Sequence, residues 1–131
     1  MKIYIDACIA IYLIENHHEY GQLLERQFDA AINKGHEICI SPLVKLECVV
    51  KPLKTNDLNL LDSFNAFFNQ TTILSIPESI YMTAAELRAS YNLKTPDALH
   101  IAIASFHGCD ELWTNDNRLR AGFSKAINIL N

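Results

Sequence analysis

The chain has 131 residues, half of them hydrophobic, with 11 basic against 15 acidic side chains. That length predicts a single compact soluble domain over 1–131, one that needs neither disulfides nor a structural metal to hold its core, while four glycines and four prolines exclude a disordered or collagen-like chain. The longest apolar run, Ala7–Ile14, has eight residues where a membrane span needs about 20, and with Asp6 before it and only Lys2 upstream it does not read as a secretory signal, so no membrane association and a cytoplasmic location are expected.

Lys2–Ile5 is a β-branched and aromatic run that predicts a first strand, followed at once by Asp6, which reads either as the N-cap of a helix starting near Ala7 or as a metal ligand. Leu23, Leu24, Gln27, Phe28, Ala31 and Ile32 make one stripe of a helix over 20–34, closed by Gly35. Glu37–Ile40 predicts the second strand. Ser41-Pro42 then caps and opens a helix bearing Glu47, whose neighbours Leu43, Val44, Val50 and Lys51 leave it on a largely apolar face. An ionised group there needs a partner, although a solvated acid is the ordinary alternative.

Residues 51–56, with Pro52, read as a break before a helix carrying Leu58, Leu61, Phe64, Phe67 and Phe68. A strand over 71–76 comes next, then a helix opened by Pro77 with Ile80, Ala84, Leu87 and Tyr91 on one face. Thr95-Pro96-Asp97 repeats the cap-and-proline device, with Asp97 in a first turn where the helix dipole alone explains an acid. Glu111–Thr114 and 127–130 complete five strand candidates, and Asp116 comes after the fourth as an ordinary turn residue would. Strands alternating with helices predict an α/β fold, a three-layer α/β/α sandwich around a five-stranded, mainly parallel sheet.

Such a sheet places ligand sites at the carboxyl ends of its strands. No glycine-rich phosphate loop stands there, since Gly21, Gly35, Gly108 and Gly122 are dispersed. Cys8, Cys39, Cys48 and Cys109 lack both a CxxC pair and a His at zinc spacing, and read as small reduced hydrophobes. Carboxylates stand after the strands instead: Asp6, Glu47, Asp97 and Asp116, which a parallel sheet would bring to one edge. Crowded carboxylates stay ionised only when cations join them, and oxygen ligands match Mg²⁺ or Mn²⁺. The chemistry supported is phosphodiester hydrolysis by a metal-activated water. With those four acids set aside, the remaining surface carries 11 basic against 11 acidic groups, so net charge neither supports nor excludes RNA.

Asp6 after a hydrophobic strand, Ser41-Pro42-Leu43-Val44-Lys45-Leu46-Glu47, Thr95-Pro96-Asp97-Ala98-Leu99-His100 and Thr114-Asn115-Asp116 together resemble the four acidic motifs of the PIN domain, specifically of the VapC-type toxins of bacterial toxin-antitoxin pairs. The resemblance runs from residue 1 to about residue 130. It implies Mg²⁺- or Mn²⁺-dependent endoribonuclease activity on an RNA substrate, metal ligation by Asp6, Glu47, Asp97 and Asp116, a homodimer, and a cognate antitoxin whose tail blocks the site. It also implies that Thr114 orients the water or a carboxylate, the alternative being a strand-end threonine. Two departures stand out: Ala7 and Cys8 replace the Ser, Thr or Asn common after the first Asp, and Asn117 stands where some relatives add another acid.

His100, three residues after Asp97, reads as an acid or base on the same helix face or as a structural histidine. Arg118, Arg120, Lys45, Lys51 and Lys94 are candidate phosphate contacts, and the segment around Phe64, Phe67 and Phe68 is a candidate dimer surface. Cys8 occupies the position where a haloacid-dehalogenase-like phosphotransferase needs its second Asp, and the adjacent acidic pair of a receiver domain is missing. The competing readings are a PIN-like module that binds RNA or protein without cutting, and an RNA-processing nuclease without an antitoxin.

Overall fold

Ile3, Tyr4 and Ile5 of β1 (Lys2–Ile5) are all buried, and a strand buried on successive residues is covered on both faces. The computed structural model describes residues 1–130 and shows what covers it. β1 is the central strand of a five-stranded, wholly parallel sheet that also contains β2 (Glu37–Ile40), β3 (Thr72–Ile73), β4 (Glu111–Thr114) and β5 (Ala126–Asn128), in the order β3-β2-β1-β4-β5. Tyr4 stands level with Cys39 on one side and Leu112 on the other. The helices are α1 (Ala7–Ile14), α2 (Gly21–Asn33), α3 (Pro42–Lys54), α4 (Leu58–Phe68), α5 (Glu78–Tyr91) and α6 (Thr95–Phe106). α1 packs against α2, α3 and α4, while α5 packs along α6. This is the α/β/α sandwich that the alternation of strands and helices predicts.

Helix ends follow local chemistry. α2 stops where Gly35, at φ 77°, takes the left-handed conformation and lets its N–H reach the Ile32 carbonyl at 2.9 Å. α3 does not break at Pro52 as the sequence suggests: the ring is buried, and a proline in the last turn removes only one helical hydrogen bond. The break comes at Asn56, with φ 53°, after which Asp57 caps α4 by accepting from the Leu60 N–H at 3.0 Å. α6 begins one residue earlier than expected, with Lys94 as N-cap and Thr95 as the first helical residue. The edge strands are shorter than or shifted from 71–76 and 127–130; β3 is exposed at both residues and ends well before Pro77.

The aromatic face of α4 corrects the expected dimer surface. Phe64 and Phe68 lie in the core and Phe67 packs against it, so those rings are already covered by this chain. An exposed apolar stripe lies on α3, at Leu46, Val50 and Leu53.

Candidate metal centre

Parallel strands end at one edge, and the four acids hang from it on separate elements. Asp6 directly follows β1, its backbone N–H donating to the Trp113 carbonyl at 3.1 Å. It is only 7% exposed, and its Oδ1 accepts from the Ile9 N–H at 3.1 Å, so it does cap α1. Burial pushes its carboxyl above the ordinary range, the Thr114 hydroxyl and His100 pull it back, and the charge of Asp97 adds to the rise. Asp97, in the first turn of α6, is raised in the same direction, first by desolvation and then by the charge of Asp116, with Glu47 adding to it. The Cys8 thiol, on the exposed side of this group, is pushed up to about 11 by lost solvation and by Asp6, Glu47 and Asp97. A neutral thiol therefore replaces the hydroxyl or amide common at that position.

Glu47 and Asp116 already have partners. His100, 2% exposed on α6, meets Glu47 Oε1 through Nε2 at 2.7 Å. Arg118 grips Asp116 with Nη2 at 2.6 Å and Nε at 3.0 Å from Oδ2, while its backbone N–H donates to Oδ1 at 2.9 Å. This grip holds the Asp116 carboxyl below the usual carboxylate range. Thr114 Oγ1 accepts from the Asp116 N–H at 3.2 Å, joining the Asp6 and Asp116 sides of the edge. Arg118→Ala is expected to raise the titration midpoints of both Asp116 and Asp97, since the guanidinium lowers both; carboxyl chemical shifts followed against pH check it.

The donor set is carboxylate oxygen, which suits a hard divalent cation and not zinc. Asp6 and Asp97 are disfavoured as anions where they stand, as ligands awaiting a cation would be. Yet among the described residues no three His, Cys, Asp or Glu side chains converge as a ready ligand set. The residues fit the ion by chemistry: His100 engages only Oε1 of Glu47 and leaves its other oxygen free, whereas both Asp116 oxygens are held by Arg118 and one would have to be released to complete the set.

Beside the acids lies a cavity of about 580 Å³ lined by Arg88, Tyr91, Lys94, Asp97 and Arg118 among others, three of them basic. Two expected phosphate contacts are engaged elsewhere: Lys51 bonds Glu15 at 2.6 Å, and Lys45 sits 5.8 Å over the Phe68 ring. Arg120 is exposed and does not line the cavity. Sequence reasoning gave Tyr4 no role beyond its strand and Ser41 only that of a helix cap, yet their hydroxyls meet at 2.8 Å beneath the edge. A tyrosine in the middle of a wholly buried strand was the available signal, because its hydroxyl needs a partner there.

The family model of the PIN domain matches residues 3–122. The chain belongs to the PIN domain family. Among solved structures, the PIN fold here is similar to a toxin-antitoxin complex from Klebsiella pneumoniae, at TM-score 0.74 and 24% identity over 97% of both chains. It is also similar to VapBC2 from Rickettsia felis bound to a DNA fragment from their promoter, at 0.75 and 19% over 88% of both. A third is Mycobacterium tuberculosis VapC20, a sarcin-ricin loop cleaving toxin, at 0.77 and 13% over 92% of this chain and 95% of that one. These likenesses establish the PIN fold. No curated protein matches the sequence, and no helix among the described residues is long and apolar enough to cross a membrane.

Proposed function

We propose that this PIN domain is a Mg²⁺- or Mn²⁺-dependent endoribonuclease, the toxin of a toxin-antitoxin pair, acting as a single domain in the cytoplasm. What supports this reading is that Asp6, Glu47 and Asp116 each follow a parallel strand or sit on the helix after one, and that Asp97, in the first turn of α6, lines a cavity that carries three basic side chains. A divalent ion bound there would supply a water of lowered pKa and neutralise charge developing on the phosphate. Asp6, Glu47, Asp97 and Asp116 would hold it, Arg88, Lys94 and Arg118 would draw the RNA backbone against the acids, and Thr114 would fix the orientation of Asp6 and Asp116. The toxin-antitoxin complexes among the similar structures support an antitoxin partner. A homodimer belongs to the same reading, with Leu46, Val50 and Leu53 of α3 as the apolar surface a second copy would cover. Light scattering at micromolar concentration is expected to give the dimer mass, and a monomer would count against it.

End-labelled RNA incubated with the whole chain tests the activity. Cleavage in Mg²⁺ and none in EDTA is the expected result. RNA bound but uncut in Mg²⁺ and in Mn²⁺ would replace the nuclease with a binding module. Growth arrest on induction, relieved by co-expressing a small DNA-binding protein from the neighbouring reading frame, is the expected sign of an antitoxin.

A further inference from the structure

Beneath the acidic edge runs a chain of side-chain hydrogen bonds. Ser41 Oγ and the Tyr4 hydroxyl lie 2.8 Å apart, the same hydroxyl is 2.7 Å from His100 Nδ1, and His100 Nε2 is 2.7 Å from Glu47 Oε1. Ser41, Tyr4 and His100 are 0, 0 and 2% exposed, whereas the Glu47 side chain is 30% exposed. The chain thus runs from the rigid core to a half-open carboxylate and touches four elements: β1, the end of β2, α6 and α3.

We propose that His100, braced by Tyr4, is a positioning residue for Glu47, holding Oε1 so that the remaining oxygen of the carboxylate faces a divalent cation; the proposal rests on the metal-dependent reading above. Packing alone does not require this arrangement, because Phe at position 4 and Leu at position 100 would fill a core without polar atoms that must each be paired. Every one of these buried polar atoms is paired, and among the described residues no buried side-chain nitrogen or oxygen lacks a partner. A carboxylate oxygen accepts, so the geometry suits Nε2 as the donor of this hydrogen bond. The Tyr4 hydroxyl fixes the ring from its other nitrogen. A glutamate on the half-open face of α3 would otherwise sample many rotamers, and a ligand whose orientation is fixed in advance binds a cation more tightly.

The test is a double-mutant cycle read by Mn²⁺ affinity of the whole chain, from calorimetry and the signal of free Mn²⁺ in electron paramagnetic resonance. His100→Leu is expected to weaken binding about 10–100-fold, the usual effect of losing a partner behind a ligand. His100→Gln, whose amide can still donate to Glu47, is expected to restore most of that loss, and Tyr4→Phe to cause a smaller one. In a Glu47→Gln background His100→Leu is expected to add nothing, since it acts through Glu47. Melting in EDTA checks that each variant folds; if His100→Leu does not, His100→Gln and Tyr4→Phe carry the cycle. Additive losses, or a lowered melting temperature with unchanged affinity, would overturn the positioning role. Unchanged affinity in His100→Leu beside weakened binding in Asp6→Asn would sink this proposal alone. A folded wild-type chain that binds no Mn²⁺ would sink the metal reading with it.

Discussion

Asp97→Asn is expected to lower Mg²⁺-dependent RNA cleavage by more than about 100-fold, since it removes a ligand where loss of a mere supporting partner already costs 10–100-fold, and to leave the metal-free protein as stable as the wild type or more so. Asn keeps the shape of Asp and removes one anion, so cation affinity falls while repulsion from Asp116 and Glu47 is relieved. Activity and stability therefore move in opposite directions. Asp97 makes no side-chain cap to α6, so Asp97→Ala should match the Asn variant in stability. Asp6 differs, because its Oδ1 caps α1: Asp6→Asn keeps a capping oxygen, whereas Asp6→Ala gives up about 1 kcal/mol. RNA cleavage beside thermal unfolding in EDTA and in Mg²⁺ separates these outcomes. Wild-type cleavage by Asp97→Asn would reduce Thr95-Pro96-Asp97 to a helix start.

The same residues fix the sign of a pH effect. Burial holds the Asp6 and Asp97 carboxyls above their unfolded values, so between about pH 4 and the higher folded values the native chain binds more protons than the unfolded one. Stability of the metal-free protein therefore falls as pH rises through that window and levels off above it. Each Asn variant should flatten the fall, and a wild-type stability that instead rises across the window in EDTA would contradict the assignment. Asp116, held low by Arg118, works in the opposite sense, but it is partly exposed and screened.

Phe64→Ala is expected to cost about 3–5 kcal/mol, a larger stability loss than any substitution at the acidic edge. The ring is wholly buried on α4, stacked near Phe68 with centroids 6.1 Å apart, and truncation leaves a cavity that the surrounding helices cannot refill. Leu58→Ala on the same helix, at a residue 70% exposed, should change stability by less than about 0.5 kcal/mol. Urea unfolding of both variants checks the contrast. A small loss for Phe64→Ala would return that ring to the surface.

On α4 the sequence pattern stops short of the packing. Spacing puts Leu58, Leu61, Phe64, Phe67 and Phe68 on one helix, but which of them turns inward depends on what packs there, and only Phe64 and Phe68 become buried. Central elements were more legible, since β1, β2 and β4 are short apolar runs ending in polar residues, and Ser41-Pro42 opens α3 at the expected residue. The Ser41 hydroxyl, however, goes to Tyr4 and not to the helix N-terminus, a partner 37 residues away that no local rule names. Spacing alone suggested Arg118 as a phosphate contact; that the turn over Asn117–Ala121 also folds it onto Asp116 while it lines the cavity is not visible in the sequence.

The central position of β1 also sets when the acidic edge can exist. Asp6 is held through the carbonyl of Trp113, and the Lys2 carbonyl accepts from the Asp110 N–H at 2.7 Å, contacts that join the two ends of the chain. Such pairings bear their loop-closure entropy before any contact repays it, and they form late. A nascent chain that has emerged only as far as α5 thus has Asp6 and Glu47 but neither Asp97 nor Asp116, and β1 has an unpaired flank where β4 belongs. The edge is therefore completed only once the chain has been made through β4 and Asp116, and a fragment ending before β4 would present a raw strand for aggregation instead of a cation site.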